Sequence, residues 1–226
     1  MTPYLDNGRY AVKHQIATVM RRHVEMAPRA GRKEESRARI LASAGRGFRS
    51  RGYGALGVDG LAKEAGVTSG AFYAHFKSKA EAFREAVVVG MEDLRAGIEH
   101  MRESAGPRGW RRQFVDFYLG DRRTCDLAES CALQSLTGEV ARADDEARAA
   151  YEAELQRVIA SAAAGMSTET DAQRRADAIA LLALLAGGVS LARAVKEPAL
   201  SEEIAAAVSH AAAALEASSK PARKRA

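Results

Sequence analysis

From Glu34 onward, apolar and polar positions alternate with the period of a helix. Ile40, Leu41, Ala44 and Phe48 fall on one face of a first helix. Gly52 stops it, and Gly54 and Gly57 keep the next stretch loose. Val58, Leu61, Ala62 and Ala65 form the apolar stripe of a short second helix. Gly66-Val67 is a tight turn, and Thr68 suits the N-cap of a short third helix. Val67 just before that cap and Phe72 four positions after it make a hydrophobic staple, which fixes how the chain runs into the helix. Ser78 and Glu81 form a capping box that opens a fourth helix running to about Glu103. Further helices are predicted over 108–120, 129–142, 144–164, 170–195 and 201–217. Pro107 and Pro198 punctuate them, and Ser201 with Glu202 and Glu203 reads as a helix start.

No segment shows period-two alternation, so the fold class is all-α. The pattern divides the chain into a flexible basic N-terminal arm (1–32), a three-helix helix-turn-helix domain (33–80), a helical domain (81–218) and a basic disordered tail (219–226). Residues 1–25, with a weak helix over Tyr10–Val24, read as an appended arm or as lying upstream of a start at Met26.

Composition supports this reading. The 226 residues fit one or two domains. Apolar residues make up 47% and aromatics 6%, with alanine abundant, which favours helices over sheet. The net charge of +5 is uneven: residues 1–86 carry 16 basic against 8 acidic side chains, the remainder 18 against 21. A basic N-terminal third points to a polyanion partner, although a solvated basic face fits the asymmetry too. The start, MTPYLDNGRY, lacks the order of a signal peptide. The longest uncharged apolar run, Ala178 to Ala192, is 15 residues, short of the ~20 that span a bilayer. The expectation is a cytoplasmic protein with no membrane partner.

If Val58, Leu61, Ala65, Val67, Phe72 and Phe76 pack inward, Ser69, Gly70, Tyr73 and Ala74 are left on the outside of the third helix. A small, hydroxyl-bearing face suits the DNA major groove, where backbone comes close and side chains meet base edges. Tyr73, His75 and Lys79 can reach flanking phosphates, and Lys79 lies in the first turn of the fourth helix, whose N–H groups favour an anion.

The stretch Gly52-Tyr53, Val58 to Ala65, Gly66-Val67-Thr68, Gly70, Tyr73, His75-Phe76 and Ser78-Lys79 resembles the DNA-binding domain of the TetR family of bacterial transcriptional repressors, over roughly residues 34 to 85. The family usually has serine or threonine at the start of the second helix, touching phosphate; here that position is Gly57. The resemblance implies an all-helical homodimer reading an inverted repeat in double-stranded DNA, with a C-terminal domain that binds a small-molecule effector and so releases the DNA. Its DNA-binding residues are then Gly57, Thr68, Ser69, Gly70, Ala71, Tyr73, His75 and Lys79.

Residues 176–192 are apolar almost all round. Such a helix must be buried in a core or an interface. The last two long helices, about 170–217, can form a four-helix dimer interface, or can pack within one chain. Trp110, Phe114, Phe117, Tyr118, Tyr151 and Leu155 are the ligand-pocket candidates, although aromatic stripes at helical spacing also build plain cores. Cys125 and Cys131 with Asp126 do not fill a tetrahedral zinc site; a redox pair or two inert buried thiols both fit. No nucleophile elbow, phosphate-binding loop or metalloprotease motif occurs, so no catalytic residue, metal or cofactor is expected. The alternative function is an architectural protein coating DNA through charge with little sequence preference.

Overall fold

The computed structural model describes residues 30–168 and 170–218; the expected arm up to residue 29, the weak helix over Tyr10–Val24 and the basic tail lie outside them. Among the described residues every regular element is helical: α1 (Ala30–Arg51), α2 (Val58–Glu64), α3 (Ser69–Tyr73), α4 (Lys79–Leu119), α5 (Asp121–Thr124), a 3-10 turn (Leu127–Glu129), α6 (Ala132–Val140), α7 (Asp145–Ala163), α8 (Asp171–Ala194) and α9 (Pro198–Ser218). The chain divides at Ile40. Residues before it contribute the opening turns of α1, and Ile40–Ala226 is the compact unit that holds both regions described below.

The helix boundaries depart from the sequence pattern where no apolar stripe marks them. α1 begins at Ala30, ahead of Glu34, so residues 30–32 belong to it rather than to the arm. The stretch between is small and charged, and apolar periodicity cannot register it. The expected break before Pro107 is present: α4 is two helices that meet at a kink, with non-helical backbone at Gly106 between them. Gly106 adopts φ 68°, ψ 180°, a conformation open to glycine, and Pro107 then starts the second arm, where a missing N–H costs nothing. α6 starts at Ala132, not 129, because Asp126 caps the 3-10 turn before it, accepting from the Ala128 N–H at 2.8 Å. α9 starts at Pro198. Ser201 donates its own N–H to the Glu197 carbonyl (3.2 Å), so it lies inside the first turn and is not the cap.

The N-terminal core is built from Ile40, Ala44 and Phe48 of α1, Leu61 and Ala62 of α2, Phe72 of α3, Phe76, and Phe83 of α4, all buried. Phe48 meets the edge of Phe83 at 5.2 Å, which locks α1 against α4. In the C-terminal part, α4 packs along α7, α7 along α8, and α8 along α9. α8 is long and apolar enough to cross a membrane, its most apolar 18 residues having a mean hydropathy of 1.6, and 44% of that stretch is buried within the fold. Leu181, Leu185 and Val189 are buried, and so is Asp177, which accepts from the Gln173 side-chain amide at 2.9 Å.

Candidate nucleic-acid interface

The turn between α2 and α3 is set by the backbone of one glycine. Gly66 sits at φ 68°, so its N–H reaches back to the Lys63 carbonyl (3.1 Å) and that of Val67 to the Ala62 carbonyl (2.9 Å). This pair of bonds closes the end of α2 and turns the chain sharply. Thr68 then caps α3, its hydroxyl accepting from the Ala71 N–H at 3.1 Å. Phe72 and Phe76 stack into the core at 5.4 Å and fix the rotation of α3 about its axis. Val58, Ala65 and Val67, expected to point inward, are only half-buried.

That rotation leaves Thr68, Gly70, Tyr73 and Ala74 exposed, and Ser69, Ala71 and His75 half-buried. Tyr73 is 57% exposed, the edge of Phe72 against its ring. A Cβ at Gly70 would meet only the Thr68 hydroxyl at 3.8 Å, and one at Gly57 would meet nothing within 4 Å, so the surface there is open. Gly57 caps α2 without a side-chain bond.

Two polar ties orient this surface, and the sequence pattern gave no sign of either. Ser69 donates its hydroxyl to the Asp59 carboxylate at 2.5 Å, joining the start of α3 to the first turn of α2. Lys79 donates to the Tyr53 carbonyl at 3.0 Å, with its ammonium 4.0 Å from the centre of the Tyr53 ring. An ammonium has three hydrogens, so Lys79 keeps two for an anion. The capping box opening α4 is shifted by one residue. Ser78 accepts from the Glu81 N–H (3.1 Å), but the Glu81 carboxylate accepts from the N–H of Lys77 (2.5 Å), not of Ser78.

Residues 40–86 match the family described as bacterial regulatory proteins, tetR family. The helix-turn-helix of α2 and α3 is thus similar to the DNA-binding domain of that family. The HTH-type transcriptional activator FasR of Mycolicibacterium smegmatis is 31% identical over 112 residues, which are 46% of this chain and 51% of that relative. The chain therefore spans about half the length of the curated relative it matches. Among solved structures, SCO4454, a TetR-family transcriptional regulator from Streptomyces coelicolor, superposes with a TM-score of 0.68 at 21% identity, covering 83% of this chain and 97% of that one. Escherichia coli NemR in its reduced form gives a TM-score of 0.63 at 20% identity, covering 77% and 95%. At such identities the likeness is one of fold.

The helical part beyond Lys79 carries a groove of about 520 Å³, open to solvent on one side, between α6, α7 and α8. Tyr151 and Leu155 line it, together with Leu133, Thr137 and Leu182, which the sequence did not single out. Trp110, Phe114 and Tyr118 are core residues instead, buried to 2% exposure or less. Trp110 donates its ring N–H to the Gly165 carbonyl at 2.9 Å. Phe117 is half-buried under the Arg122 guanidinium, 5.0 Å from its ring centre. Helical spacing placed the four on neighbouring faces but could not say which face met a void.

The helix-turn-helix is tied to this body by a side chain of α1. Arg49 donates its Nε–H to the Ala128 carbonyl at 2.7 Å, in the turn that leads into cavity-lining α6. Burial lowers its pKa, while the Glu129 and Asp93 carboxylates oppose the shift. A second tie is the ion pair of Arg84 on α4 with Glu146 on α7. Of the two cysteines, Cys131 is buried and Cys125 half-buried, and both are free thiols. Arg193 of α8 donates to the carbonyls of Arg122 (2.8 Å) and Cys125 (2.8 Å), holding the 122–125 turn.

Tyr118 ends beside the Cys131 thiol with no hydrogen-bond partner of ordinary geometry. Burial first, then that thiol, hold its phenol well above the usual tyrosine value of 10.0. The folded state thus keeps a proton that the unfolded chain releases above pH 10. Stability from this site is complete below pH 10 and falls as pH rises beyond it. Urea titrations at pH 9 and pH 11 should show a loss of stability that is smaller in Tyr118→Phe. An equal loss in both proteins would remove Tyr118 from the account.

Proposed function

We propose that this protein is a cytoplasmic repressor that binds an inverted-repeat operator as a homodimer and is released by a small-molecule effector. The observation that carries the reading is the exposed face of α3: Thr68, Gly70, Tyr73 and Ala74 lie outward while Phe72 and Phe76 anchor the helix from beneath. A helix of five residues reads only a few base pairs, so a second copy is needed to specify a site. Leu191 on α8 is 62% exposed and Leu200 on α9 is also exposed, which supports α8 and α9 as the dimer surface. Gly57, Tyr73, His75 and Lys79 contact phosphates or lie against the backbone, and Thr68, Ser69, Gly70 and Ala71 face the base edges.

Ser69 and Lys79 separate the two kinds of contact. Lys79→Ala is expected to weaken binding to matched and scrambled duplexes alike and to lower the salt slope by about 1. Ser69→Ala frees Asp59 and is expected to change the preferred sequence, with a discrimination change of about 1–3 kcal/mol. Fluorescence anisotropy on both duplexes over a salt series reads the two effects. If both variants behaved alike, the division of roles would be wrong.

A further inference from the structure

The cavity between α6, α7 and α8 has a chemistry that narrows what it can hold. None of its lining side chains is charged. Most of the wall is carbon, including Leu133, Leu155, Ile159, Ile179 and Leu182. Its polar groups come as two pairs. Thr137 donates its hydroxyl to the Leu133 carbonyl (2.5 Å), so in its 2.8 Å contact with Tyr151 the phenol is the donor and keeps its lone pairs. Ser190 donates to the Ala186 carbonyl (2.8 Å) and lies 3.4 Å from the Gln134 side-chain nitrogen. A long bond from one of two amide hydrogens leaves Gln134 with donor capacity to spare.

We propose that this cavity takes a neutral, predominantly apolar molecule bearing a hydroxyl or carbonyl oxygen, and discriminates against ions. The ligand oxygen accepts from the Gln134 amide, and a ligand hydroxyl donates to the Tyr151 oxygen. The groove is open on one side, so a charged group pressed against its wall would lose part of its hydration, with no counter-charge there to replace it. Burial keeps the Tyr151 phenol protonated, since it raises the pKa against the opposing Thr137 bond, so the wall supplies no anion either. The volume of about 520 Å³ lies within the usual range for small-molecule sites. The inference rests on the effector reading proposed above and gives that effector its chemical class.

The test uses the full-length protein and the neutral dye Nile red, displaced by 1-decanol or by decanoate, which share a chain and differ in charge. Decanol should displace the dye at a concentration at least about tenfold below that needed for decanoate. Gln134→Lys, which adds a cation to the wall, should reverse that order. Ala183→Trp, which fills the cavity, should lower dye affinity severalfold with the dimer intact. Equal or better displacement by decanoate from the native protein overturns the proposal. Unchanged dye binding in Ala183→Trp overturns it by placing the dye elsewhere. Loss of the dimer in Ala183→Trp overturns it by assigning the groove to a second copy of the chain. DNA release is read separately by anisotropy: neutral-selective binding without release would leave this inference standing and overturn the effector reading.

Discussion

Trp110→Ala is expected to lower the unfolding free energy by about 3–5 kcal/mol. The side chain is fully buried, and its loss opens a void where α4 meets the end of α7. It also strands the Gly165 carbonyl, which has the Trp110 N–H as its partner at 2.9 Å. The fit is close on the other side as well: a Cβ at Gly165 would lie 2.6 Å from the indole ring. Gly165→Val therefore overpacks the same contact and should cost about 1–3 kcal/mol. Phe117→Ala, on the same helix but only half-buried, should cost much less. Urea denaturation at fixed protein concentration orders the three, and a Trp110→Ala midpoint close to that of Phe117→Ala would contradict the core assignment.

That contrast also shows where sequence reading stops. The helix-turn-helix was legible because each of its features leaves a local mark. Thr68 caps α3, Gly66 turns the chain at positive φ, and Phe72 and Phe76 are the bulky side chains that α3 and the residues just beyond it bury. These are short-range constraints, and the residues that obey them are adjacent. The cavity was only half legible. The family resemblance put pocket candidates on these helices; of them Tyr151 and Leu155 line the groove, whereas Trp110, Phe114 and Tyr118 are core, as side chains at helical spacing often are. Whether an apolar face meets another helix or a void depends on packing between distant segments. The ties from Arg49 to Ala128 and from Lys79 to Tyr53 span 79 and 26 residues, and no local pattern announces them. The start of α9 at Pro198 was missed because Ser201-Glu202-Glu203 imitates a cap, whereas the proline ring was already fit for a first turn.

The second large effect concerns α3 itself. Gly70→Asp should weaken operator binding by roughly a hundredfold, the size of one or two lost base contacts compounded by repulsion from phosphate. The protein should stay folded. The site is exposed, the added Cβ makes an ordinary contact at 3.8 Å, and an acidic residue in the first turn favours the helix dipole. Thermal melting and anisotropy on the same sample separate the two readouts. An unfolded Gly70→Asp protein would show that the position supports the fold, and full DNA binding would show that α3 does not face the DNA.

The central claim is that a pair of these short helices reads sequence. Selection from a random duplex pool at near-physiological salt, with sequencing of the retained fraction, tests it most directly. The account predicts an enriched inverted repeat that Gly70→Asp fails to enrich. Retention without any motif, falling steeply with salt, would contradict it and favour an architectural protein that holds DNA by charge alone.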